Sequence, residues 1–302
     1  MGNATCETRI CCKGENPTDE VRLAADTPNS LYRSEQTESG QKCPEFTLQP
    51  VNLSAKLAAV ADLPPVLALK VLSSNALPQG SVLSIGPEGY GESLRGAKDG
   101  ITYFGCKRRE KATGDKQRSV VNDVLMRVSD AEVAEKHRGR HFEVAYRPER
   151  RSYWIRDLGV GFGAFLRLDA PIKLRDNSLL NLGESFIVVN LEPPTDRPRL
   201  KLKLFGGPCK GEIFTFVARD YHDSHIHIGR VPTCEIVIDD SLISKCHASM
   251  WYQQDGWVAC DGDVEKLRSS TNGTWLYLNE SCELKHGMVF KASQTLFEVG
   301  LD

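Results

Sequence analysis

Three short segments carry the side chains best suited to chemistry. Gly229-Arg230 closes an apolar run, Ser244-Lys245-Cys246-His247 begins fourteen residues after Arg230, and Ser270-Thr271-Asn272-Gly273-Thr274-Trp275 lies farther on. An arginine offers a planar fork of donors that matches phosphate oxygens. Serine and threonine hydroxyls add short neutral donors, and Lys245 adds a mobile positive charge. The Asn272 carboxamide donates and accepts at once, which suits the amide and carbonyl of an extended peptide. Gly273 frees the Asn-Gly turn to take positive φ. Together these types describe an anion pocket beside a clamp for peptide main chain.

Such groups need rigid supports that end close together. Between the segments, EIVIDD (235–240) and ASMWYQ (248–253) read as strands, so the chemistry sits on loops that a sandwich gathers at one end. Upstream, Leu200, Leu202 and Leu204 alternate with Lys201 and Lys203, the period of a half-buried strand. Similar short runs recur from Val66 to Asn190 and again from Leu200 to the end, separated by turn residues. A helix is nearly absent; for Ser129–His137 a short helix competes with an unstructured or 3₁₀-like loop. The pattern predicts an all-β chain of two sandwiches in tandem, 62–192 and 199–302. Pro193, Pro194 and Pro198 make 193–198 a stiff polar linker. Residues 1–60, rich in Glu, Thr, Ser, Asn and Pro without apolar periodicity, read as a disordered tail.

Composition narrows the function. The chain has 302 residues, with 38 Lys+Arg against 40 Asp+Glu and a net charge of −2. That balance gives no global attraction to nucleic acid or to an anionic membrane, and the second half lacks an aromatic stacking platform. Residues 62–192 hold 20 basic and 17 acidic groups (+3), whereas 198–302 hold 11 and 14 (−3). The basic stretches 106–111 and 136–141 read as solvated loops, with an anion-facing surface as the alternative. No apolar run reaches the roughly 20 residues of a membrane-spanning helix. The first twenty residues lack a secretory apolar region, which predicts a cytoplasmic protein. Ten cysteines with no CxxC pair then predict neither a disulfide framework nor a cysteine zinc site. In that compartment Asn272 and Asn279 are not glycan acceptors. His225 and His227 share a strand face, but no carboxylate or cysteine can be placed beside them from sequence, so they read as strand histidines.

The ordered set Gly-Arg, Ser-x-x-His and Ser-Thr-Asn-Gly-Thr resembles the signature of the forkhead-associated (FHA) domain. That family is a β-sandwich that reads phosphothreonine in extended peptides through its apical loops. The resemblance covers 200–302. It implies that Arg230 and Ser244 contact phosphate, that Lys245 adds a basic contact and Thr271 a hydroxyl, and that Asn272 holds the peptide main chain. Gly229, His247 and Gly273 are implied to be structural. The first half carries the same outline in degenerate form, with Cys106 where the arginine would stand. For its Ser-x-x-His segment two alignments stand open: Ala134 with His137, or Arg138 with His141. Asp157–Phe165 resembles the Asn-Gly turn, with Gly161 and Phe162 in the Thr and Asn places. Without those groups the first half reads as a docking sandwich, Lys107 or Arg108 being the candidates to replace the arginine.

Met1-Gly2 exposes Gly2 for myristoylation, although Cys6 stands where the usual pattern has Ser or Thr. One acyl chain anchors only marginally, so palmitoylation of Cys6, Cys11 and Cys12 would be the second signal. The competing reading is an unmodified Met-Gly start. No phosphate-binding P-loop, kinase loop set or HExxH occurs, which argues against an enzyme. The expectation is a cofactor-free, non-catalytic adaptor on the cytoplasmic side of a membrane that binds a phosphothreonine-containing protein or peptide. The alternative is a phosphate-independent assembly protein.

Overall fold

The computed structural model describes residues 64–107, 109–111, 118–126, 138–192 and 198–301. The tail with Gly2, Cys6, Cys11 and Cys12, the 129–137 segment, Arg108 and residues 193–197 of the linker lie outside these residues. Among the described residues the regular structure is β, apart from single 3₁₀ turns at Pro148–Arg150 and Ala218–Asp220. Alternation produces the strands. Arg199–Phe205 buries Leu200, Leu202 and Leu204 and turns Lys201 and Lys203 to solvent; Leu67, Leu69 and Val71 do the same within Leu67–Ser74.

The strands form two sandwiches that share one sheet of eleven strands. Its order is Ile213–Val217, Arg199–Phe205, Ser185–Leu191, Leu179–Leu182, Trp275–Tyr277, Ala164–Arg167, Val289–Ala292, Thr295–Leu301, Leu67–Ser74, Val82–Gly86 and Gly89–Tyr90. A five-stranded sheet covers each end. The first is centred on Ile101–Gly105, Arg140–Arg147 and Ser152–Asp157, and the second on Ile226–Gly229, Ala248–Gln253 and Gly256–Asp261.

The pairing departs from the expected contiguous halves. The 179–191 hairpin, from the first half, lies against Arg199–Phe205 and buries Leu180, Leu182, Ile187 and Val189 with Leu200, Ile226, Ile228 and Met250. The 289–301 hairpin, from the second half, pairs with Leu67–Ser74 and buries Phe290 and Phe297 with Phe104 and Phe142. Two edge strands follow the same exchange: Ile172–Lys173 joins Gly256–Asp261, and Cys282–Glu283 joins Ser152–Asp157. Each sandwich therefore receives its closing strands from the other half of the chain.

The crossing happens inside two strands. Ala164–Arg167 and Trp275–Tyr277 pair antiparallel through Phe165↔Tyr277, Leu166↔Leu276 and Arg167↔Trp275. Ala164 and Leu166 lie in the first core and Leu168 in the second; Leu276 packs on the second core and Leu278 lies in the first. The exchanged hairpins present matching main-chain bonds. Asn177 N–H donates to the Val189 carbonyl (2.8 Å) and Val189 N–H to that of Ser178 (2.9 Å). Gly287 and Val299 repeat the pattern with Val299 and Met288 at 2.8 Å each. These bonds close each hairpin on itself in the same way.

In the first core the rings of Phe104 and Phe142 stack with centroids 4.3 Å apart, and those of Phe290 and Phe297 stack at 5.0 Å. The two pairs meet edge to face at 6.0–6.2 Å, so aromatic packing ties the two ends of the chain. Two outcomes follow. A protease site inserted at 193–198 and then cut should leave the halves bound, eluting as one complex on size exclusion and separating only in denaturant. Dissociation under native conditions would contradict the exchange. Phe297→Ala should cost about 3–5 kcal/mol, read as a lowered denaturation midpoint.

Candidate functional site

The site begins where Ile226–Gly229 passes the 244–247 loop. A Cβ at Gly229 would fall 2.1 Å from the Lys245 carbonyl oxygen, so only glycine permits this approach. The contact lets Arg230 N–H donate to the Ser244 carbonyl (3.1 Å), which starts the two side chains from adjoining backbone.

His247 ties this loop to the next one. Its buried ring accepts from Ser244 N–H at Nδ1 (3.0 Å) and donates from Nε2 to the Gly273 carbonyl (3.1 Å). One accepting and one donating nitrogen specify the neutral imidazole. Burial holds its pKa below the ordinary 6.5, although the Gly273 bond and the Asp261 and Asp240 carboxylates act the other way. Gly273 sits at φ +77°, as expected of an Asn-Gly turn.

Asp261 clamps the second loop. Its Oδ2 accepts from Ser270 N–H (2.9 Å) and its Oδ1 from Ser270 Oγ (2.7 Å), with the Thr274 hydroxyl 2.8 Å from Oδ1. Ser270 Oγ in turn accepts from Gly273 N–H (2.9 Å). Across the gap, Thr271 N–H donates to Ser244 Oγ (3.0 Å), which puts the two hydroxyl oxygens 3.4 Å apart. Asn272 Nδ2 donates to the Leu242 carbonyl (2.7 Å), and Trp275 Nε1 donates to the Asn272 carbonyl (2.9 Å). Asn272 is itself exposed.

These loops enclose a cleft of about 620 Å³. Arg230, Ser244, Lys245 and Thr271 line it together, and Asn272 follows Thr271 on the same turn. The Arg230 and Lys245 side chains are exposed, and among the described residues neither has a side-chain hydrogen bond or ion pair. The structure thus brings Arg230, Ser244, Lys245 and Thr271 to one cleft with Asn272 next to it, whereas Gly2, Cys6, Cys11 and Cys12 lie outside the described residues. It adds Lys266 and Arg268, whose loop carried no motif; its basic residues just upstream of Ser-Thr-Asn-Gly were the only signal.

The same cleft holds His227, Cys246 and Asp263, whose ligand-type atoms all lie within 4.8 Å of one another. A cysteine and a carboxylate therefore do stand beside His227, a placement that the sequence left open. His225, its ring centroid 6.0 Å from that of His227, has its Nδ1 3.0 Å from Glu265 and meets Trp251 edge to face. Burial, followed by the nearby Asp263, pushes the Cys246 thiol up to about 12. Burial opposes ionisation of Asp263, yet the Lys266 ammonium bonded to it at 2.6 Å holds its pKa below the ordinary value.

The first sandwich can be compared position by position. Phe104 and Gly105 run parallel to Val124 and Leu125, as Ile228 and Gly229 run parallel to Ile236 and Val237. The His141 carbonyl accepts from Leu158 N–H (2.9 Å) as that of His247 does from Gly262 N–H (2.7 Å). This register selects the alignment of His141 with His247, which puts Arg138 opposite Ser244 and Arg140 opposite Cys246. Cys106 occupies the Arg230 position. The Arg140 guanidinium lies 3.7 Å from the Tyr103 ring centroid, and its Nε donates to the Val121 carbonyl (3.0 Å).

Residues 226–292 match the family model described as FHA domain. No curated protein matches the chain. Among solved structures, it is similar to the solution structure of the FHA domain of an Arabidopsis thaliana hypothetical protein. The identity is 28%, the coverage 36% of this chain and 90% of that one, and the TM-score 0.22. The family match contains Arg230, Ser244, Lys245, Thr271 and Asn272, and it does not extend to the degenerate copy expected in the first half. The chain therefore carries one FHA-domain match, and FHA domains are protein-interaction modules rather than enzymes.

Proposed function

We propose that the protein is an adaptor that binds phosphothreonine peptides at the second sandwich. The observation that carries this reading is the uncommitted Arg230 guanidinium facing a cleft with the Ser244 and Thr271 hydroxyls and Lys245. A phosphate there would accept charge-assisted bonds from Arg230 and Lys245 and neutral ones from the hydroxyls. Lys266 and Arg268 would enlarge the positive field at the rim. Asn272, pinned by one amide hydrogen to Leu242, would offer its oxygen and other hydrogen to the peptide main chain.

The first sandwich acts as a degenerate FHA-like docking partner without phosphate readout. Cys106 cannot supply a guanidinium, Arg140 is stacked on Tyr103, and Gly161 and Phe162 replace the hydroxyl and carboxamide. Acylation at Gly2 with palmitoylation of Cys6, Cys11 and Cys12 would hold this cytoplasmic adaptor at a membrane.

Matched phosphothreonine, phosphoserine and unmodified threonine peptides, titrated onto the full chain, test the adaptor reading. The phosphothreonine form should bind best, and added salt should weaken it. Arg230→Ala should lose about 1.5–3 kcal/mol, or roughly ten- to a hundredfold in affinity, with the melting temperature unchanged. Asn272→Ala should be nearly as damaging. Equal binding of all three peptides, insensitive to Arg230→Ala, would favour phosphate-independent assembly instead. For the anchor, wild type should sediment with membranes and Gly2→Ala should not; both in the soluble fraction would end that part of the proposal.

A further inference from the structure

His227, Cys246 and Asp263 come from three separate elements: the Ile226–Gly229 strand, the loop before Ala248–Gln253, and the turn after Gly256–Asp261. His227 Nε2 is buried and has no hydrogen-bond partner. A buried ring nitrogen in that state is costly unless something outside the chain satisfies it. It points toward Asp263 Oδ1 at 3.9 Å. Two ligand atoms on one tetrahedral zinc ion stand about 3.4 Å apart, so a small side-chain adjustment closes the difference. The remaining donor, Cys246 Sγ, makes a long 3.9 Å contact to the Gly262 carbonyl and also has the Ser249 hydroxyl beside it.

The surroundings suit a metal centre. The Asp263 backbone is held by paired bonds with Arg268 (2.8 and 3.0 Å), which fixes where its carboxylate starts. Glu235 Oε2 accepts from His227 N–H (2.7 Å) and lies 3.8 Å from its Nδ1, the outer position from which a carboxylate orients a ligating imidazole. Imidazole nitrogen, thiolate sulfur and carboxylate oxygen form a donor set that favours zinc over calcium or magnesium.

We propose that His227, Cys246 and Asp263 bind one zinc ion in the wall of the cleft, with the fourth coordination position facing the cleft and filled by water or an anion. On binding, the thiol yields its proton to solvent and becomes a thiolate. Thiolate and carboxylate together balance the dication. Lys266, three-quarters exposed, moves off Asp263 and returns its ammonium to the cleft rim. No redox change is involved.

The chain holds ten cysteines, so total zinc uptake alone says little and the comparison must be between variants. Reduced full-length protein, stripped with a chelator, would be titrated with cobalt(II) alone and with zinc against a chromophoric chelator. Wild type should take up one equivalent more than Cys246→Ser, His227→Ala or Asp263→Asn. Its cobalt form should show a thiolate-to-metal charge-transfer absorption that Cys246→Ser lacks. Asp263→Asn keeps the side-chain shape, so its loss of uptake at an unchanged melting temperature separates ligation from misfolding. Identical stoichiometry and spectra in all four proteins would overturn the site and leave a Lys266–Asp263 ion pair only. No phosphopeptide is present in this titration. Failed uptake with intact peptide binding therefore removes the metal site alone, and intact uptake without peptide binding removes the adaptor reading alone.

Discussion

The antiparallel pairing of Ala164–Arg167 with Trp275–Tyr277 is the contact on which both sandwiches depend. Each strand leaves one core and enters the other, and the hairpin that follows it, 179–191 or 289–301, completes the foreign sandwich. Conventional closure would turn each strand back on its own half and lose this ladder. Around it, Phe165, Trp275 and Val289 cluster on the outer face, and Lys291 lies over the Trp275 and Phe165 rings at 4.6 and 5.2 Å. Burial brings the pKa of that lysine down to about 8, and its ammonium is held by Asn181 Oδ1 at 2.6 Å. The junction is thus filled by groups from both halves.

The crossover also bears on the site. The Thr271–Asn272 turn immediately precedes the strand that crosses, and a Cβ at Gly273 would meet Arg167 Cδ of the other half at 3.1 Å. The Thr271–Asn272 turn is therefore anchored on one side by His247 and Asp261 of its own sandwich and on the other by the crossing ladder. The family match at 226–292 follows the chain across this boundary, since its final strand, Val289–Ala292, belongs to the first sandwich. The segment that matches the family model is thus continuous in sequence but contributes to both sandwiches.

Much of the site was legible because its groups are tied to local motifs. Gly229-Arg230, Ser244 to His247 and Ser270 to Thr274 each contain the residue that brings its loop to the others: a glycine allowing contact at Lys245, a histidine bonding both neighbours, a serine bonded to Asp261. Lys266 and Arg268 were missed because a side chain on a loop without periodicity gives no sign of where it points. The trio of His227, Cys246 and Asp263 was hidden for a related reason: its members are nineteen and seventeen residues apart, and only packing of strand against turn makes them neighbours.

The fold divides along the same line. Strand positions and buried faces were readable from alternation, since Leu200, Leu202 and Leu204 can satisfy their hydrophobicity only on one side of a sheet. Which core a buried face enters was not readable. A period-2 pattern specifies a side and says nothing of a partner, and the 179–191 and 289–301 hairpins close on themselves with the same main-chain pattern. The sequence settled the class of fold, the alternating buried faces of the strands and the motif residues at the cleft, because those rest on local side-chain chemistry. Tertiary structure alone decided the exchange of closing strands, because that choice rests on how Phe290 and Phe297 pack against Phe104 and Phe142, far away along the chain.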